Sequence, residues 1–160
     1  MPKKKYKLKI ITAIVAVAVL FSVFALPHLY ERHKIKQEYL AKGIYEIEET
    51  FGIDARDDIR SVFMICEPPS NNEDLERMVR DFIQEKNIIQ MLKDRVPEKS
   101  FVNTIFIKFV EPSRDFPIGW KSGERNGYFS DSITDHTIVS AYIPYNSTDN
   151  TDLTFHFIID

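Results

Sequence analysis

The feature that most constrains this chain is an uncharged run from Ile10 to Leu26, set directly behind Lys3, Lys4, Lys5, Lys7 and Lys9. Only Thr12 and Ser22 interrupt its apolar character. Seventeen helical residues at 1.5 Å each span about 25 Å, near the lower limit for crossing a hydrocarbon core. Valine and isoleucine are frequent here, but in lipid a helix satisfies its own backbone, so intrinsic propensity counts for little. Tyr6 and Leu8 on one side, with Leu29 and Tyr30 on the other, extend the span through the interfaces, and Lys7 and Lys9 can snorkel outward. The segment reads as a transmembrane signal anchor, residues 10–27, behind a basic cytoplasmic flank, residues 1–9.

The alternative is a secretory signal, with Val23 and Ala25 as the small-residue pair at the cleavage site. The run is longer than a usual signal core, and Phe24, Leu26 and Pro27 crowd that site, so the anchor is the leading expectation. Because lysines stay in the cytoplasm, both readings put residues 28–160 outside it, anchored in the cell membrane in the first and secreted in the second.

Charge separates the two parts further. Of 21 basic residues, five lie in the first 27 positions, leaving 16 against all 24 acids in the remainder, a formal charge of −8 there. An acidic body excludes a nucleic-acid partner, which requires a basic footprint. One cysteine, Cys66, excludes an internal disulfide and multi-cysteine zinc modules. It lies far from the apolar run, so it offers no lipid attachment there. Lysine-rich start, single apolar segment and small acidic cysteine-poor remainder together resemble the layout of small bacterial envelope proteins, particularly those of Gram-positive bacteria. The likeness is one of layout and implies no functional residues.

Beyond the membrane, residues 28–52 read as a juxtamembrane amphipathic helix. Leu29, Tyr39, Leu40, Ile44, Ile47 and Phe51 approximate one stripe, with Gly43 a weak point and Gly52 a C-cap. An extracytoplasmic domain, residues 53–160, follows. Arg60–Cys66 is a short apolar strand stopped by Pro68 and Pro69. Ser70 and Glu73 have the spacing of a capping box ahead of a helix whose face carries Leu75, Met78, Val79, Phe82, Ile83, Ile89 and Leu92. Lys93 and Arg95 lie near its end, and Pro97 terminates it. The period then becomes two in Phe101–Val110, 137–143 and 153–159, the last two forming a hairpin around Asn146–Asp152, and Asn126–Ile133 is a further candidate. The expected fold class is α+β: about two helices packed on a mainly antiparallel sheet of four to five strands, behind the N-terminal membrane helix.

Catalytic signatures are not apparent. His28 and His33 point about 140° apart on a helix and cannot share an ion. Asp131, Asp135, His136 and His156 are a conceivable cluster if their strands pair, but nothing fixes their spacing, and no metal or cofactor is expected. Cys66 sits in an apolar run, where cysteine is usually an inert core residue. No serine lies in a nucleophile elbow, and neither a GxGxxG nor a GxxxxGK[ST] phosphate loop occurs. Asp54, Asp57 and Asp58 lack the alternation of a calcium loop.

Glu111–Phe129 is the most unusual segment, with the only tryptophan, two prolines and three glycines. A long loop that mixes arginine with aromatic side chains suits recognition, which nominates Arg114, Phe116, Trp120, Lys121, Arg125 and Tyr128 as binding residues. The rival reading makes the segment a hairpin whose Trp120 covers the edge of the core. The functional expectation is a membrane-anchored, extracytoplasmic interaction domain for an envelope protein or peptide partner. The alternative is a small exported enzyme of hydrolase type, its catalytic groups assembled only by the fold.

Overall fold

The structure is a computed structural model and describes residues 14–17, 19–48, 58–96, 102–114, 116–120, 135–147 and 152–158. Two compact units divide the chain, Met1–Glu38 and Tyr39–Asp160.

A helix runs over Ile14–Lys42 (α1), and by length and composition it can cross a membrane. Its apolar side chains are exposed: Ile14, Val17, Leu20, Phe21, Val23 and Phe24 all face outward. Over Phe21–Ala25 the helix loosens into a π turn, in which the Leu26 N–H donates to the Phe21 carbonyl. Pro27 lies at the second position of the following α-helical stretch. Within a continuous helix a proline removes one backbone hydrogen bond and crowds the preceding turn, and the wider π turn just before it relieves that clash.

The helix expected over 28–52 stops at Lys42. Gly43 takes φ +68°, its N–H donates to the Leu40 carbonyl at 3.1 Å, and its own carbonyl accepts from the Cys66 N–H at 2.8 Å. A left-handed glycine closes the helix and starts an extended segment. Ile44–Glu48 is therefore a strand, β1. Its side chains alternate: Tyr45 and Ile47 are buried, while Ile44 and Glu46 are half-buried on the opposite face. Ile44 and Ile47, three apart, share a helical face but fall on opposite faces of a strand, and pairing with the next strand decides for the strand. Gly52 lies outside the described residues.

The remaining elements are β2 (Asp58–Ile65), helices α2 (Asn72–Glu85) and α3 (Ile88–Asp94), and strands β3 (Thr104–Val110), β4 (Thr137–Pro144) and β5 (Thr154–Phe157). Asn71, not Ser70, caps α2, its side-chain oxygen accepting from the Asp74 N–H at 2.8 Å. The long helix expected up to Pro97 is two helices. Asn87 adopts φ 50°, a conformation asparagine tolerates, and this breaks the helical path between Glu85 and Ile88.

The five strands form one sheet in the order β1-β2-β3-β4-β5. All neighbours are antiparallel except β2 and β3, which α2 and α3 connect as a parallel crossover. The last two strands pair as the expected hairpin, Val139 opposite Phe157 and Tyr142 opposite Thr154. The Asn126–Ile133 candidate strand lies outside the described residues.

Alternation sorts the side chains onto two faces. Ile59, Phe63, Ile65, Ile105, Ile107, Phe109, Val139, Ala141 and Ile143 meet Leu75, Val79, Ile83, Ile88, Ile89 and Leu92 of the helices in the main core. At its centre the rings of Phe63, Phe82 and Phe109 contact one another at 5.3, 5.7 and 6.3 Å between centroids. Tyr45, Ile47, Val62, Met64, Cys66 and Val110 form a smaller cluster on the other face. Lys93 Nζ, donating to the Ser147 carbonyl at 2.8 Å, ties α3 to the turn before β5.

Candidate functional site

The smaller cluster accounts for the described part of the 111–129 loop. Phe116 is buried, and with Ile118 and Trp120 it covers Tyr45, Val62 and Met64. Phe116 and Trp120 meet edge to face at 4.7 Å, and Phe116 contacts the His136 ring at 5.8 Å. The loop is pinned by hydrogen bonds: Ser113 N–H to the Phe116 carbonyl (3.0 Å), Trp120 N–H to the Pro117 carbonyl (2.9 Å), and Gly119 N–H to the Tyr45 hydroxyl (2.8 Å). Gly119 takes φ +91°, which only glycine adopts freely, and so brings its N–H down onto Tyr45. Tyr45 in turn donates to Met64 Sδ at 3.0 Å. Burial pushes its phenol up to about 12.

Of the nominated binding residues, then, Phe116 and Trp120 are placed together against the sheet. Arg114 is exposed on the same loop. Lys121, Arg125 and Tyr128 lie outside the described residues.

Of the groups considered for chemistry, Asp54, Asp57 and Asp131 lie outside the described residues. Cys66 is buried, its thiol donates to the Tyr39 carbonyl at 3.3 Å, and burial pushes its pKa up, with the Glu67 carboxylate adding to the effect. A raised thiol holds less thiolate and is a poorer nucleophile. His156, on the edge strand β5, faces Tyr142 at 5.0 Å, whereas His136 contacts Phe116. Among the described residues no group of three or more His, Cys, Asp or Glu is placed to hold a metal ion.

On the sheet face away from the helices, Arg60, Phe106 and Tyr142 occupy one cross-strand row, and Lys108, Ser140 and His156 the next. Phe106 stacks on Tyr142 at 4.5 Å, with Arg60 Cζ at 5.9 Å and Lys108 Nζ at 5.8 Å from the Phe106 ring centre. Burial and the neighbouring Arg60 charge pull the Lys108 ammonium below its ordinary value.

Among the described residues, an open groove of about 820 Å³ lies within the Tyr39–Asp160 unit. One wall is α2. The other is the corner where the last turn of α1 meets the start of β1 and the end of β2. Leu40, Ile44, Ile65, Met78 and Phe82 supply its apolar surface. Phe82 belongs to the aromatic trio of the main core, so this part of the floor is held rigidly before anything binds.

The charged rim divides into occupied and unoccupied groups. Arg77 is held by Asp74 at 2.8 Å, and Lys42 Nζ lies over the Tyr39 ring at 4.3 Å. Among the described residues, no hydrogen bond or ion pair engages the side-chain carboxylates of Glu67, Asp81 and Glu85.

Sequence reading missed this groove, although it found the apolar helix face that forms one wall. Met78 and Phe82 stand on the apolar face of α2, and acids alternate around them. The second wall depends on Gly43 turning the chain back on itself, and no periodicity announces that. The chain matches no protein-family model, no curated protein and no solved structure.

Proposed function

We propose that this is a single-pass, membrane-anchored protein whose extracytoplasmic α+β domain binds an envelope protein or peptide, with the groove beside α2 as its binding surface. The observation that carries the binding reading is the groove itself: an apolar floor held by core packing and bordered by Glu67, Asp81 and Glu85, whose carboxylates no hydrogen bond or ion pair engages among the described residues. Such combinations of an apolar centre with a polar rim characterise recognition surfaces. Anchoring rests on the apolar exposed face of α1 and on the lysines that precede it. Phe116 and Trp120 are occupied in covering the second sheet face, which favours the groove over the 111–129 loop as the surface offered to a partner.

A photo-crosslinking amino acid at position 78 of the full chain, in native membranes, tests the binding reading. Positions 84 and 114 serve as exposed comparisons. A discrete adduct from position 78, absent from position 84, supports the groove. An adduct from position 114 alone moves the surface to the loop, and no adduct from any of them overturns the binding reading. For the anchor, a tag after Asp160 is cut by external protease in wall-stripped intact cells. A tag cut only after lysis rejects the topology.

A further inference from the structure

Resting on that reading, we infer that the groove takes a basic amphipathic segment of a partner protein, about three helical turns long. The length comes from α2 and the Lys86 that caps it, whose lining residues run from Asp74 to Lys86, about 18 Å at 1.5 Å per residue. The apolar side of the segment is set by Met78, Phe82, Leu40, Ile44 and Ile65, and methionine adapts readily to the side chains it meets.

The charge of the occupant follows from the rim. Glu67 stands on one wall, Asp81 and Glu85 on the other, and Lys86 is the one nearby cation that neither an acid nor a ring engages among the described residues. Asp81 and Glu85 are four apart on one helix face, where like charges repel. Glu85 is also the last residue of α2, which has no basic residue in its last turn. A negative charge there opposes the helix dipole. Both placements are unfavourable in the free domain and become favourable when lysine or arginine side chains lie alongside. The net −8 of residues 28–160 acts in the same direction, attracting a cationic segment at longer range.

The test uses the purified full chain in nanodiscs of uncharged lipid, with empty nanodiscs as the blank. Three twelve-residue fluorescent peptides are titrated: a leucine/lysine amphipathic helix, its leucine/glutamate counterpart, and a leucine/lysine scramble that has no apolar face. The leucine/lysine helix is expected to bind, the other two weakly or not at all. The exposed pair D81K/E85K is expected to weaken its binding by about tenfold or more and to gain binding of the glutamate peptide. Circular dichroism on the variant confirms that it is folded. Should the glutamate peptide or the scramble bind the native chain as well as the leucine/lysine helix, or should D81K/E85K leave binding unchanged, the charge assignment is overturned. A crosslink from position 78 to some other partner would then keep the groove as a binding surface. No peptide binding together with no adduct from position 78 removes both.

Discussion

The guanidinium of Arg95, just past the end of α3, holds both carboxylate oxygens of Glu46 on β1, at 2.6 and 2.9 Å. The Ser61 hydroxyl donates to the same carboxylate at 2.6 Å, so one acid joins an edge strand, its neighbour and a helix. Both side chains of the pair are mostly shielded, 23% and 14% exposed, which lifts the interaction above the small worth of a surface ion pair. Arg95→Ala leaves a shielded carboxylate with only its serine donor, and we expect a loss of about 1–3 kcal/mol in stability. A double-mutant cycle with Glu46→Gln in urea unfolding measures the coupling, and additivity of the two variants would show the pair to be idle.

Gly43 isolates a backbone effect. A β-carbon added there meets nothing within 4 Å, so Gly43→Ala introduces no clash, only an L-residue at φ +68°. The expected cost is about 1–2 kcal/mol, with Gly43→Asn milder because asparagine tolerates the left-handed region. Thermal unfolding of both variants gives the order. An alanine variant as stable as the native chain would mean that the turn has no role in holding β1.

Tyr45 confers a pH dependence whose sign follows from its burial. Folded, the phenol keeps its proton up to about 12, whereas the unfolded chain releases it near 10. The folded state thus holds more protons between those values. Its stabilising contribution is complete below pH 10 and is lost as pH rises from 10 towards 12, by about 2–3 kcal/mol at most. Tyr45→Phe removes this slope and also strips the Gly119 N–H of its acceptor, so the variant starts less stable by about 1–3 kcal/mol and declines less above pH 10. Denaturant midpoints at pH 9 and 11 for both proteins report the difference.

Cys66 should resist alkylation in the folded chain. The residue is 6% exposed, and its thiol donates to the Tyr39 carbonyl and has a raised pKa. Iodoacetamide at neutral pH is expected to label it at least about tenfold more slowly than in denaturant. Equal rates would show that the Tyr39–Cys66 contact opens freely.

Phe63 tests the main core. Its ring meets both Phe82 and Phe109, and Phe63→Ala is expected to cost about 3–5 kcal/mol. Because Phe82 also forms part of the groove floor, the same variant should loosen that floor. Increased amide exchange in α2 is the observable.

What the amino-acid sequence alone determined is whatever rests on local pattern. The period of 3.6 through Leu75, Val79 and Ile83 and the period of two in Thr104–Val110 each repeat a signal over several residues, and each became the element it implied; the apolar run is helical over its described residues, long and apolar enough to cross a membrane. The α+β class followed from their order. Tertiary structure decided the points where local signals balanced. Ile44–Glu48 suits a helix or a strand, and it became β1 because Gly43 turned left-handed and Ile65 and Met64 offered partners. Asn87 split one periodic stretch into two helices, since a single left-handed residue can interrupt an otherwise continuous pattern. The groove belongs wholly to this second category. Its walls come from residues near 40, 66 and 80, and only the closing of the chain brings their side chains to face a common space.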